Sequence, residues 1–103
     1  MEVIVDKNVE KDEVNEISKQ VELMIILGNK KSLKTNELYE VAAKCCRNAI
    51  IVEDMKDLYL NYIGRFKKVG VIVEKSISKD IADEIIKILK NTDTEGYMYE
   101  FSR

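Results

Sequence analysis

Four carboxylates, Glu16, Glu53, Asp54 and Asp57, could in principle hold Mg²⁺ for nuclease chemistry. No acidic pair comes with a lysine or histidine at a recognisable nuclease spacing. The chain has no histidine at all, so the commonest general base and metal ligand is missing. Cys45 and Cys46 are the only thiols, and they are adjacent. Neighbours on a helix point about 100° apart, which suits a mutual disulfide poorly. Two sulfurs without histidine do not complete a usual zinc site. They read as small core residues of a reduced, cytoplasmic protein. Gly28, Gly64, Gly70 and Gly96 are scattered and form no phosphate-cradling loop. The expectation is therefore no catalysis, no metal and no cofactor, with function residing in binding.

The residues that could bind are lysines. A net charge of -2 gives no global basic field, so any nucleic-acid contact must rest on a local patch. Lys30, Lys31 and Lys34 in one loop would form a single basic surface with Lys67, Lys68 and Lys75 near a later strand. Lysines of this kind give phosphate contacts and salt-dependent affinity without sequence readout. Lys56, Asn61 and Arg65 are outward candidates on a helix between them, with Asn61 and Arg65 one turn apart. Ordinary solvated lysines, interspersed with Glu74 and Asp80, are the alternative reading of the same surface.

The elements that would position these residues follow from periodicity and caps. At 103 residues the chain is one domain, 1–103, with an ordinary hydrophobic share of 46%. Val14, Ile17, Val21, Met24 and Ile25 repeat at helical spacing, predicting a helix near 12–27 with Gly28 as a left-handed cap. Thr35 would cap a second helix near 36–47, and Leu38, Val41, Ala42 and Cys45 would form its buried stripe. A packed turn at 48–52 leads to a third helix near 53–68, with Met55, Tyr59, Tyr62, Ile63 and Phe66 inward. Val71-Ile72-Val73 begins a strand near 71–75. Ser78 would cap a fourth helix near 79–90, and Tyr97, Tyr99 and Phe101 alternate as a strand near 97–101. The predicted class is α+β, mostly α: a winged helix-turn-helix with four helices and a short two-stranded wing. The acidic start, MEVIVDKNVEKDE, is unlike a signal peptide, and the longest apolar stretches are too short to span a bilayer.

Between Leu23 and Glu74 the order of features resembles the C-terminal winged helix of archaeal origin-recognition initiators. The residues that carry the likeness are the run Leu23–Leu27, then Thr35-x-Glu37-Leu38-Tyr39. They are followed by Leu58, Ile63 and Phe66 ahead of Val69-Gly70-Val71-Ile72. The same order is similar to small archaeal, plasmid and viral winged-helix regulators. The initiators' ATPase signature is absent, so the resemblance implies a DNA-binding module without a motor. The acidic stretch Glu53-Asp54-Met55-Lys56-Asp57 departs from such readers, because carboxylates facing a groove are repelled by phosphate.

The function expected from this reading is duplex DNA binding by a small transcription or replication regulator of a mobile element, working as a homodimer. The isoleucine stripe Ile81, Ile85, Ile86, Ile88 and Leu89, together with Tyr97, Tyr99 and Phe101, would form the dimer interface. The alternative is a winged-helix module that binds a host or partner protein, which the acidic third-helix start favours. No membrane partner is expected.

Overall fold

The computed structural model describes residues 1–92. Strands and helices alternate along them. β1 (Glu2–Asp6) is followed by α1 (Lys11–Ser18), β2 (Leu23–Leu27), α2 (Leu33–Cys45) and β3 (Ala49–Val52). A 3₁₀ turn at Met55–Asp57, the short α3 (Leu60–Ile63), β4 (Lys68–Val73) and α4 (Lys79–Lys90) complete the order. The strands form one parallel sheet in the order β1-β4-β2-β3.

Strand order explains the layers. The chain steps from β1 across to β2 and on to β3, then reverses to insert β4 between β1 and β2. Right-handed crossovers travelling one way put their helices on one face, and a reversal puts the next helices on the other. Accordingly α1 and α2 cover one face, packing Val14, Leu38 and Ala42 on Met24, Ile26 and Ile72. Ile63 and α4 cover the other, where Ala82, Ile85, Ile86 and Leu89 meet Leu23, Ile25, Leu27, Val69 and Val71. Every residue of β2 is fully buried. Each such side chain removed from water is worth roughly 1.5–3 kcal/mol. Gly70 in β4 lets α1 approach closely: a Cβ there would lie 2.6 Å from Met24 Sδ and 2.8 Å from Ile17 Cγ2.

This architecture is α/β and corrects the winged-helix class. The expected helix near 12–27 is α1, a break, and then central strand β2. A strand buried on both faces reads as an unbroken apolar run rather than an alternating one, and LMIIL extended the helical periodicity by coincidence. The packed turn at 48–52 is β3, stacked in register on β2 from Met24–Ala49 to Leu27–Val52. The third helix near 53–68 is only the 3₁₀ turn and a four-residue helix. Gly28 ends a strand and has no positive φ. The wing strand near 71–75 is β4, hydrogen-bonded on both sides in the sheet interior. The helix near 79–90 coincides with α4. The expected strand near 97–101, with Tyr97, Tyr99 and Phe101, lies outside the described residues.

The isoleucine stripe offered as a dimer surface is largely core. Ile85 and Leu89 are fully buried, Ile86 is 9% exposed, and Ile81 packs against the same cluster. Ile88 is half-buried. Among the described residues no helix is long and apolar enough to cross a membrane.

Candidate functional site

In an open parallel sheet, the loops leaving two neighbouring strands toward opposite faces part and leave a crevice at their carboxyl ends. Here those strands are β2, which runs into α2, and β4, which runs into α4. The β2 exit is Gly28-Asn29-Lys30-Lys31-Ser32, and the β4 exit is Glu74-Lys75-Ser76-Ile77-Ser78.

A continuous hydrogen-bond network joins the two loops. Glu74 Oε2 accepts from Thr35 Oγ1 at 3.0 Å, from Ser76 N at 2.8 Å and from the Ser76 hydroxyl. Ser76 Oγ in turn accepts from Asn29 N at 2.8 Å. Below this layer, Glu74 N donates to Leu27 O at 2.8 Å, continuing the β2–β4 ladder beyond the strands. Thr35 is fully buried and Glu74 is 7% exposed, while Ser76 and Lys75 are exposed above them. Burial pushes the Glu74 carboxyl up. Bonds from the Ser76 side chain and backbone and from Thr35 outweigh it, and the group sits below its ordinary value.

Helix α2 begins at this point. Ser32 caps it, accepting from Thr35 N at 3.3 Å. Asn36 Nδ2 ties the loop back onto the helix, donating to Lys30 O and Ser32 O at 2.8 and 2.9 Å. Thr35 was expected as the cap; it lies inside the helix with its hydroxyl turned to β4. Gly28 permits that placement, since a Cβ on it would lie 2.3 Å from Thr35 Oγ1. A helix N-terminus with converging hydroxyls and exposed lysines is chemically an anion-receiving arrangement.

The acidic stretch does different work from a metal site. Asp54 caps the 3₁₀ turn, accepting from Lys56 N at 2.9 Å. Glu53 Oε1 accepts from Lys30 N at 2.7 Å, and Asp57 Oδ1 from Lys30 Nζ at 2.8 Å. The Lys30 ammonium holds the Asp57 carboxyl below its ordinary value. Together they fasten the β2 exit to the β3 exit. Among the described residues no group of three or more His, Cys, Asp or Glu is arranged to hold a metal.

The lysine and polar candidates are split between opposite ends of the sheet. Lys30, Lys31, Lys34 and Lys75 stand at the carboxyl end beside the crevice, and Lys56 is in the 3₁₀ turn there. Arg65, Lys67 and Lys68 lie at the other end, where β4 starts, and Asn61 is on α3. A strand rising about 3.3 Å per residue puts Lys68 and Lys75 roughly 20 Å apart. Lys68 also pairs with Glu2 at 3.7 Å. Cys45 and Cys46 are free thiols at the far end of α2, and the Cys46 thiol reaches Val21 O at 3.5 Å. Glu74 and Ser76 are not among the site residues expected from sequence, and Thr35 is expected there only as a helix cap. The available signal was an acid and two serines immediately after an apolar strand, facing a polar loop after another.

Comparison with known proteins agrees with the α/β architecture. The family model described as LytB protein matches residues 6–90. A 4-hydroxy-3-methylbut-2-enyl diphosphate reductase of Thermoanaerobacter sp. is 29% identical over 79 residues, covering 77% of this chain and 27% of the relative. The reductase of Nautilia profundicola is 32% identical over 79 residues, covering 77% and 28%. The chain thus spans about a quarter of the length of the curated relatives it matches. The solved structure of the E-1-hydroxy-2-methyl-but-2-enyl-4-diphosphate reductase from Plasmodium falciparum superposes with a TM-score of 0.74 at 17% identity, covering 82% of this chain and 26% of that one. A second structure, of (E)-4-hydroxy-3-methyl-but-2-enyl diphosphate reductase, gives 0.70 at 24% identity, covering 78% and 28%. At these identities the structures speak for the fold alone. The family match overturns the likeness to origin-recognition initiators and the duplex-DNA regulator, and equally the protein-interaction alternative. It also overturns the expectation of a chain unconnected with catalysis, since the relatives are named as enzymes.

Proposed function

The chain belongs to the LytB protein family, and from that premise we propose that its β2–β4 crevice holds the diphosphate end of a substrate of the kind its reductase relatives are named for. The observation that carries this reading is the meeting of Ser32, Thr35 and Ser76 at the start of α2, between two strand ends. The helix dipole and first-turn N–H groups favour an anion there. Lys31, Lys34 and Lys75 are exposed around the same opening and supply compensating charge. Lys30 is engaged by Asp57 and holds the loop in place.

Reduction also needs a source of electrons, and the residues present do not fit a redox centre. The only two thiols are adjacent at the end of α2, roughly 15 Å along the helix from Thr35. The part assigned to these 103 residues is therefore to bind and orient the anionic end, with the redox group supplied by other polypeptide. Free thiols suit a reducing, cytoplasmic setting.

The test is a ¹⁵N-resolved NMR titration with inorganic pyrophosphate and with 4-hydroxy-3-methylbut-2-enyl diphosphate. Both should shift the amides of 28–35 and 74–78, and the free diol should not. Shifts clustered at Lys67 and Lys68, or reproduced by chloride at the same ionic strength, contradict the reading.

A further inference from the structure

The crevice already contains a negative charge. Among the described residues Glu74 is the one charged side chain that is buried. Buried carboxylates are ordinarily neutralised by a cation. Yet none of the ion pairs formed among the described residues involves Glu74. Its carboxylate instead takes the Thr35 hydroxyl, the Ser76 hydroxyl and the Ser76 amide, with Asn29 N feeding Ser76. These are neutral donors from the first turn of α2 and from the β4 exit, converging on one oxygen at the strand ends. They are the groups that an incoming phosphate oxygen would use.

Resting on the diphosphate-binding reading above, we propose that Glu74 is a built-in occupant of the anion position: its carboxylate competes with a substrate phosphate for the Thr35 and Ser76 donors. Two anions cannot share those donors, because like charges at contact distance inside a protein repel strongly. A phosphate enters only when the Glu74 side chain leaves. The bonds from Ser76 and Thr35 keep the carboxyl ionised in spite of its burial, so the competitor remains charged at neutral pH. Glu74 is thereby a specificity-determining residue that sets the affinity of the crevice for phosphate esters. A purely structural clamp between β4 and α2 would affect stability and leave that affinity alone.

The experiment titrates the full chain, as wild type, Glu74→Gln and Glu74→Ala, with inorganic pyrophosphate at pH 7.5 and fixed ionic strength. Circular dichroism checks that each is folded. Glu84→Gln, an exposed change on α4, controls for net charge. The proposal expects both Glu74 variants to bind at least about tenfold more tightly than wild type, a difference of about 1.4 kcal/mol, while Glu84→Gln stays within about twofold. Affinity equal in wild type and both variants overturns the built-in competitor and leaves the diphosphate site standing. Absence of binding in all of the chains overturns both. Glu74→Gln keeps most of the side chain's shape, so a folding defect confined to Glu74→Ala still leaves a decisive comparison.

Discussion

Thr35 and Glu74, 39 residues apart in sequence, are joined by a 3.0 Å hydrogen bond that couples the first turn of α2 to the exit of β4. Thr35 is fully buried, and Gly28 clears the space in which its hydroxyl sits. Removing any of the three should disturb the other two.

Thr35→Val keeps the shape and deletes the donor. A buried acceptor left short of a partner costs about 1–3 kcal/mol, so urea unfolding should show a loss in that range, with Thr35→Ser much milder. Equal stability of Thr35→Val and wild type would mean that the bond contributes nothing.

Gly28→Ala should destabilise the chain, since the new methyl collides with Thr35 Oγ1. Gly70→Ala should do the same against the branched Ile17 side chain. Overpacking of this kind costs typically about 1–3 kcal/mol. Thermal melts would show it, and an unchanged midpoint for either would contradict the close approaches described.

Asp57 should titrate below its ordinary value of 3.8, because Lys30 donates to it. A depressed carboxyl contributes stability that is present in full above the unfolded value and is lost as pH falls through the folded one. The contribution from this pair should thus hold above about pH 4 and fade below it. Carbon-detected NMR of Lys30→Met should find the Asp57 midpoint moved upward. An unmoved midpoint would remove Lys30 as the cause.

Ile85→Asp should leave the chain unfolded by circular dichroism, because it puts an unpaired charge into a fully buried site. Ile85→Ala should fold and lose about 2–5 kcal/mol. A folded Ile85→Asp monomer would point instead to a stripe lying on a subunit surface.

α4 was legible in the sequence because it is amphipathic and half exposed, so periodicity, Ser78 and the terminal lysines agree on its limits. β2 and β3 were not, because a strand sandwiched between helix layers has no polar face to mark its period. Misreading β2 as the end of a helix turned a βαβ pattern into a helix-turn-helix one. Lys30, Lys31 and Lys34 were found as a basic cluster. Lys67 and Lys68 stand at the opposite end of the sheet, where β4 begins, so of the three later lysines only Lys75 joins them. Glu74 read as an ordinary solvated acid. Its burial depends on β4 lying between β1 and β2, a long-range pairing that no local pattern announces.

The most direct measurement is a crystal structure of Glu74→Gln grown with inorganic pyrophosphate. One phosphate group should sit in the β2–β4 crevice, accepting from the Thr35 and Ser76 hydroxyls and flanked by Lys31, Lys34 or Lys75. Pyrophosphate bound instead beside Lys67 and Lys68, or an empty crevice at saturating ligand, would contradict that binding mode.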